Sequence, residues 1–197
     1  MTEIQRMPKM RIKRYNAKEF FLFVKDKKER YELIDGRIYL MAAPSMDHQD
    51  IAGFIYRKLG NYLEDKPCKP FIAPLDVILF EKGEKDEKTD EKSRNVFQPD
   101  VFVVCDKDKM SQSGINGAPD FVAEVASPSS LTHDYHDKCG LYLKYGVKEY
   151  WIVNPTNKSI LVYVNGSELE IYSYSFGDRV PVGIFENFGI DFSELRL

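Results

Sequence analysis

Cysteine is scarce in this chain of 197 residues: Cys68, Cys105 and Cys139 are odd in number and widely spaced. That pattern excludes a disulfide framework of the kind that staples small secreted domains, and it leads to the expectation of a reducing, cytoplasmic setting. Positive charge is not in surplus either. With 28 Lys+Arg against 31 Asp+Glu the net charge is −3 and the pI about 5.7, so a protein that coats nucleic acid by bulk charge is excluded. An enzyme with a local basic groove and a metal ion stays open. Long apolar runs are missing: stretches such as Val101–Cys105 and Phe121–Val125 are far shorter than the ~20 residues needed to cross a bilayer, so no membrane span is expected. The opening Met-Thr-Glu-Ile-Gln-Arg lacks the apolar core of a secretory signal. No internal repeat occurs. The Gly-x-Ser-x-Gly nucleophile elbow is absent, and so is the Gly-x-x-x-x-Gly-Lys-Ser/Thr phosphate loop.

What is present is a globular composition, 43% hydrophobic and 13% aromatic, in a length that predicts one domain over residues 1–197. A chain of this size buries about 70% of its unfolded surface. Residues 1–15 form a basic N-terminal arm carrying Lys9, Arg11, Lys13 and Arg14, candidates for contact with a substrate backbone or for a frayed end. Asn16-Ala17-Lys18-Glu19 has the form of a capping box and predicts a helix over about 17–26. Asp35-Gly36, between Tyr31–Ile34 and Arg37–Met41, predicts a two-residue hairpin. Pro44-Ser45 opens a helix whose apolar positions recur at three- and four-residue spacing until Pro67. Phe71–Phe80, Asp100–Cys105, Asp120–Val125 and Tyr150–Val153 read as strands, the last three covered on both faces. In Glu81–Arg94, 11 of 14 residues are charged; this predicts a solvated loop, extended to residue 97. Asp134–Tyr145 reads as a helix closed by Gly146, and Ile160–Tyr174 as a C-terminal hairpin turning at Asn165-Gly166. The order predicts an α/β fold with a single central mixed β-sheet flanked by helices.

Glu124 lies within the apolar strand Phe121–Ala126, where a lone carboxylate is costly unless something compensates it. A buried salt bridge is one answer. Asp100 stands at the mouth of the neighbouring strand, after Pro99, where it could also be a turn residue. Two carboxylates on adjacent strands form a hard-oxygen site suited to Mg²⁺ or Mn²⁺. His48 falls on the core-facing side of its helix by periodicity, as a satisfied core histidine or as a group lining a cleft. His133-x-x-His136-x-x-Cys139 has zinc-ligand residue types but no partner motif to supply a fourth ligand.

Pro99-Asp100 followed by a strand bearing Glu124 resembles the PD-(D/E)xK nuclease pattern. Tyr31-Glu32-Leu33-Ile34-Asp35-Gly36, Pro44-Ser45 with His48, Gly117-Ala118-Pro119-Asp120, Glu124-Val125-Ala126-Ser127-Pro128-Ser129, Asp137-Lys138 and Gly146-Val147-Lys148-Glu149-Tyr150-Trp151 together resemble the Uma-two family of restriction-endonuclease-like proteins. The likeness runs from about residue 16 to 175. It implies the restriction-endonuclease-like fold and a Mg²⁺- or Mn²⁺-dependent endonuclease acting on DNA, a homodimer being compatible with cutting two strands. It makes Glu32 a third acidic metal ligand beside Asp100 and Glu124, whereas the residue alone would read as solvent-facing. Ala126 stands where the general pattern has lysine, so the resemblance moves that role to Lys138 on the following helix. His48 then touches phosphate or positions the attacking water. The rival expectation is a non-catalytic DNA-binding or structural module with a degraded site.

Overall fold

The computed structural model describes residues 13–80, 89–127 and 133–197. In chain order the elements are helix α1 (Ala17–Val24), strands β1 (Tyr31–Ile34) and β2 (Arg37–Leu40), helix α2 (Met46–Leu63), β3 (Lys69–Ile72), β4 (Val77–Leu79), α3 (Thr89–Lys92), β5 (Asn95–Phe97) and β6 (Val101–Val104). There follow β7 (Met110–Ser111), β8 (Gly114–Asn116), β9 (Phe121–Val125), a π-helical turn (His133–Lys138), α4 (Cys139–Tyr145), β10 (Glu149–Asn154), β11 (Ser159–Asn165), β12 (Leu169–Ser175), β13 (Arg179–Pro181) and β14 (Gly189–Asp191).

The local signals act as their chemistry dictates. Asn16 accepts the N–H of Glu19 while the Glu19 carboxylate accepts the N–H of Asn16, closing the capping box of α1. Asp35 and Gly36 take φ of 47° and 75°, the left-handed pair that a tight hairpin requires. Ser45 caps α2 by accepting the His48 N–H, and Gly146, at φ 95°, ends α4.

The expected α/β class holds, but the single sheet does not: twelve of the described strands divide into two six-stranded mixed sheets, ordered β2-β1-β5-β4-β8-β7 and β12-β11-β10-β9-β6-β3, and β13 pairs with β14 in a separate two-stranded sheet. Alternation of side chains explains the layering. Leu33, Ile78 and Val96 face α1, while Ile34, Val77, Leu79 and Phe97 on the same strands face a core shared with Phe102, Val122, Tyr150 and Ile152 of the second sheet. Helix α4 closes that middle core through Tyr142. The other face of the second sheet, Val101, Val103, Phe121, Ala123 and Trp151, packs on α2 and on Phe192 near the C-terminus.

Three further expectations are corrected. Phe71–Phe80 is not one strand: Pro74, which cannot donate to a ladder, stands between β3 and β4, and the two strands belong to different sheets. The charged loop does not extend to 97. Residues 81–88 lie outside the described residues, α3 follows, and β5 is buried because Val96 and Phe97 contribute to the two cores on either side of their sheet. Cys68 and Cys105 are joined by a disulfide, because antiparallel pairing of β3 with β6 sets residues 37 apart in sequence side by side. Cysteine spacing therefore carries no argument for a reducing setting. The C-terminal hairpin β11–β12 extends the second sheet, as expected. Among the described residues no helix is long and apolar enough to cross a membrane.

Candidate active site

A cleft of about 500 Å³ opens beside the middle core, and Arg30, Glu32, His48, Asp100, Glu124 and Lys138 are among its lining residues. The register of β6 on β9 pairs Val101 with Ala123, which sets Asp100 opposite Glu124 with both side chains on the same face of the sheet. Each holds the other's strand: Glu124 Oε2 accepts the Asp100 N–H at 3.2 Å, and Asp100 Oδ2 accepts the Val125 N–H at 2.8 Å. His48 Nε2 lies 3.1 Å from Asp100 Oδ2, so the histidine is a cleft residue rather than a core one. Its place in the first turn of α2 follows from the Ser45 cap.

Glu32 comes from the first sheet. It alternates with Leu33, which faces α1, and so points with Ile34 toward the middle core, only 5% exposed. One of its oxygens accepts the Gln98 N–H at 2.9 Å. The other meets Lys138 Nζ at 2.8 Å, and the same ammonium reaches Glu124 Oε1 at 3.1 Å. Lys138 is 5% exposed and lies at the junction between the π-helical turn and α4. It thus bridges a carboxylate of each sheet from a buried position on the helix that follows β9. Burial of this degree excludes a solvated face for Lys138; the side chains of Asp134 and Tyr135 lie outside the described residues.

Two donors converge on Glu124. Beside Lys138, the Tyr142 hydroxyl donates to the same Oε1 at 3.0 Å. Burial foremost, then the charges of Glu124 and Glu32, pushes the Tyr142 hydroxyl well above its ordinary pKa, so it stays a donor across the working pH range. Tyr142 is not among the site residues the sequence singles out; the signal it offers is its position four residues after Lys138, on the same helical face.

The three acids do not enclose one point. Among the described residues no three His, Cys, Asp or Glu side chains are grouped to hold a metal ion between them, and Glu32 is committed to Lys138 and Gln98. Asp100 and Glu124 remain as a hard-oxygen pair on the cleft floor, which fits a hydrated Mg²⁺ or Mn²⁺ held by two carboxylates. His136 is exposed and Cys139 buried, so the zinc-type spacing does not converge. Burial pushes the Cys139 thiol up to about 11, away from a ligand thiolate. In the N-terminal arm Lys9 and Arg11 lie outside the described residues, Lys13 stacks over Tyr15, and Arg14 is spent on Asp35 in the hairpin turn. Asn154 accepts the Thr156 N–H and shapes the turn at Pro155, a structural role.

The family model of Uma2, described as "Putative restriction endonuclease", matches residues 17–193. An uncharacterised Synechocystis protein, slr1290, is 27% identical over 194 residues, covering 96% of this chain and 94% of its own. A second from the same organism, sll1609, is 27% identical over 117 residues, 58% of this chain and 59% of its own. A crystal structure from Anabaena variabilis, described as "a putative nuclease belonging to DUF820", superposes with a TM-score of 0.70 at 19% identity, over 91% of this chain and 96% of that one.

Proposed function

The chain belongs to the Uma2 family of restriction-endonuclease-like proteins, and on that footing we propose that it is a divalent-metal-dependent endonuclease that hydrolyses phosphodiester bonds in DNA. The observation that carries this is the opposed pair Asp100 and Glu124, with one buried ammonium shared between Glu124 and a third acid. Asp100 and Glu124 would hold Mg²⁺ or Mn²⁺. Such an ion, when bound, polarises a phosphate and lowers the pKa of a water.

The chain's own groups do the rest. Lys138, held by Glu32, presents positive charge where the phosphate gains negative charge. Glu32 is then the seat of the lysine rather than a third ligand. His48 fixes the Asp100 carboxylate from one side and the Val125 N–H fixes it from within the sheet. The cleft carries more acids than bases, so a bound cation is what would make it receptive to a polyanion.

The test is titration calorimetry with Mn²⁺ together with cleavage of supercoiled, linear, branched and single-stranded DNA. Wild-type protein should bind Mn²⁺ and cut at least one substrate. Asp100→Asn and Glu124→Gln should lose both properties. Metal binding unchanged in both variants would remove the site; DNA binding without any cutting would leave a non-catalytic module.

A further inference from the structure

Glu124 is 3% exposed, and its Oε1 is the meeting point of two donors that differ in kind. Lys138 is a flexible chain whose ammonium is shared with Glu32. Tyr142 is rigid. Its ring, wholly buried, is met edge-on by Phe97 at 5.1 Å and 70°, and lies 5.1 Å from the Tyr150 ring. Those contacts leave the hydroxyl one direction, along the line to Glu124.

We propose that Tyr142 is the positioning residue of this site: its hydroxyl anchors Glu124 Oε1 so that the carboxylate keeps one orientation toward Asp100 and toward a divalent cation. This rests on the metal-dependent reading above. Among the described residues, losing that hydroxyl leaves to Oε1 an ammonium that Glu32 also claims, and the Glu124 carboxylate could turn with the lysine. A group fixing a ligating carboxylate from behind is worth about 10-fold or more in metal affinity.

The experiment compares Tyr142→Phe with Glu124→Gln and wild type, using Mn²⁺ alone in calorimetry, then DNA cleavage. The Phe variant keeps both ring contacts, so its melting temperature should stay within a few degrees. Mn²⁺ affinity should fall about 10-fold, and kcat should fall while KM for DNA stays near wild type. Rescue of kcat by raised Mn²⁺ would follow from the same cause. Wild-type Mn²⁺ affinity and kcat in Tyr142→Phe, with Mn²⁺ binding lost in Glu124→Gln, overturns the inference alone. Binding kept in both variants overturns the metal reading and the inference with it. Should the Phe variant not fold, wild-type protein labelled at tyrosine Cζ gives a second measurement. The Tyr142 signal, assigned by placing the label at that position alone, should shift on saturation with diamagnetic Mg²⁺ once calorimetry has shown the ion to bind; a signal unmoved by bound Mg²⁺ refutes the proposal.

Discussion

Replacing Lys138 by Met keeps the length of the side chain and removes its charge. In the wild-type protein one ammonium lies 2.8 Å from Glu32 and 3.1 Å from Glu124, with both acids almost out of water at 5% and 3% exposure. Removing it leaves two carboxylates in a low-dielectric core, whose remaining donors among the described residues are neutral: Gln98 N–H for Glu32, Tyr142 and Asp100 N–H for Glu124. Breaking a buried ion pair in this way costs about 3–5 kcal/mol, because the surviving charge is uncompensated. At about 2–4 °C per kcal/mol for a chain of this size, the melting temperature of the metal-free variant should drop by roughly 6–20 °C. Coupling identifies the cause. Glu32→Gln in the Lys138→Met background should recover about 1–3 kcal/mol, since it removes one orphaned charge, whereas the same change in wild type should destabilise. Cleavage in Lys138→Met should fall by about 10²-fold or more, in line with losing one charge-stabilising donor. Urea melts of the four proteins and a nicking assay check both. A single variant within 1 kcal/mol of wild type, additive with Glu32→Gln and still active, would refute the bridging arrangement.

Other consequences concern the frame of the site. Glu149 is fully buried, accepts Trp151 Nε1 at 2.6 Å and the Ile184 N–H at 3.0 Å, and burial raises its pKa above the ordinary carboxylate value. The folded state therefore keeps a proton that the unfolded chain has released. Stability should fall as pH rises from about 4.5 through the folded pKa, and Glu149→Gln should flatten that slope in urea midpoints taken across pH 4–7. Gly36→Ala should cost about 1–2 kcal/mol in a thermal melt, since φ is 75° and an added Cβ would lie 3.0 Å from the Tyr15 carbonyl oxygen. Replacing residues 81–88 by a short Gly/Ser turn should leave the melting temperature within a few degrees, whereas carrying the replacement through residue 97 should unfold the first sheet. Buried Ser93 and Asn95 hold the backbone there, Ser93 Oγ donating to the Leu79 carbonyl and Asn95 Oδ1 accepting the Asp35 N–H.

What could be read from the sequence was what short-range chemistry decides. A capping box, an Asp-Gly turn and a terminal glycine act within a few residues, and each formed as expected. Partner choice between strands is not local. The three residues of β5 adjoin a charged run and carry too few apolar positions to show a period, so only their pairing with β1 and β4 reveals them. The division into two sheets and the approach of Cys68 to Cys105 were hidden for the same reason. At the site, Asp100 and Glu124 stood out because a carboxylate beside an apolar run demands a partner. Lys138 came from the family pattern. Glu149, next to Tyr150-Trp151-Ile152-Val153, satisfied the same criterion as Glu124 and was overlooked; the structure shows that backbone amides and an indole, not a cation, compensate it.

The site draws members from each layer that meets at the middle core. Glu32 and the Gln98 amide arrive on or beside strands of the first sheet, Asp100 and Glu124 on strands of the second, and Lys138 with Tyr142 on the helix wedged beside them. None of these layers can shift without changing the Lys138 bridge. Packing of the two sheets and geometry of the carboxylates are therefore one property. Core residues that do not line the cleft share in it: Phe97 touches both the Tyr142 ring and the Lys138 ammonium, at 5.1 and 5.9 Å to its centroid. Phe97→Leu removes both contacts while keeping an apolar side chain. It should weaken Mn²⁺ binding by more than its effect on melting implies, and calorimetry set beside a thermal melt measures the two separately. Equal Mn²⁺ affinity in a measurably destabilised Phe97→Leu would show that the site tolerates movement between the sheets, and the layered account of its rigidity would fail.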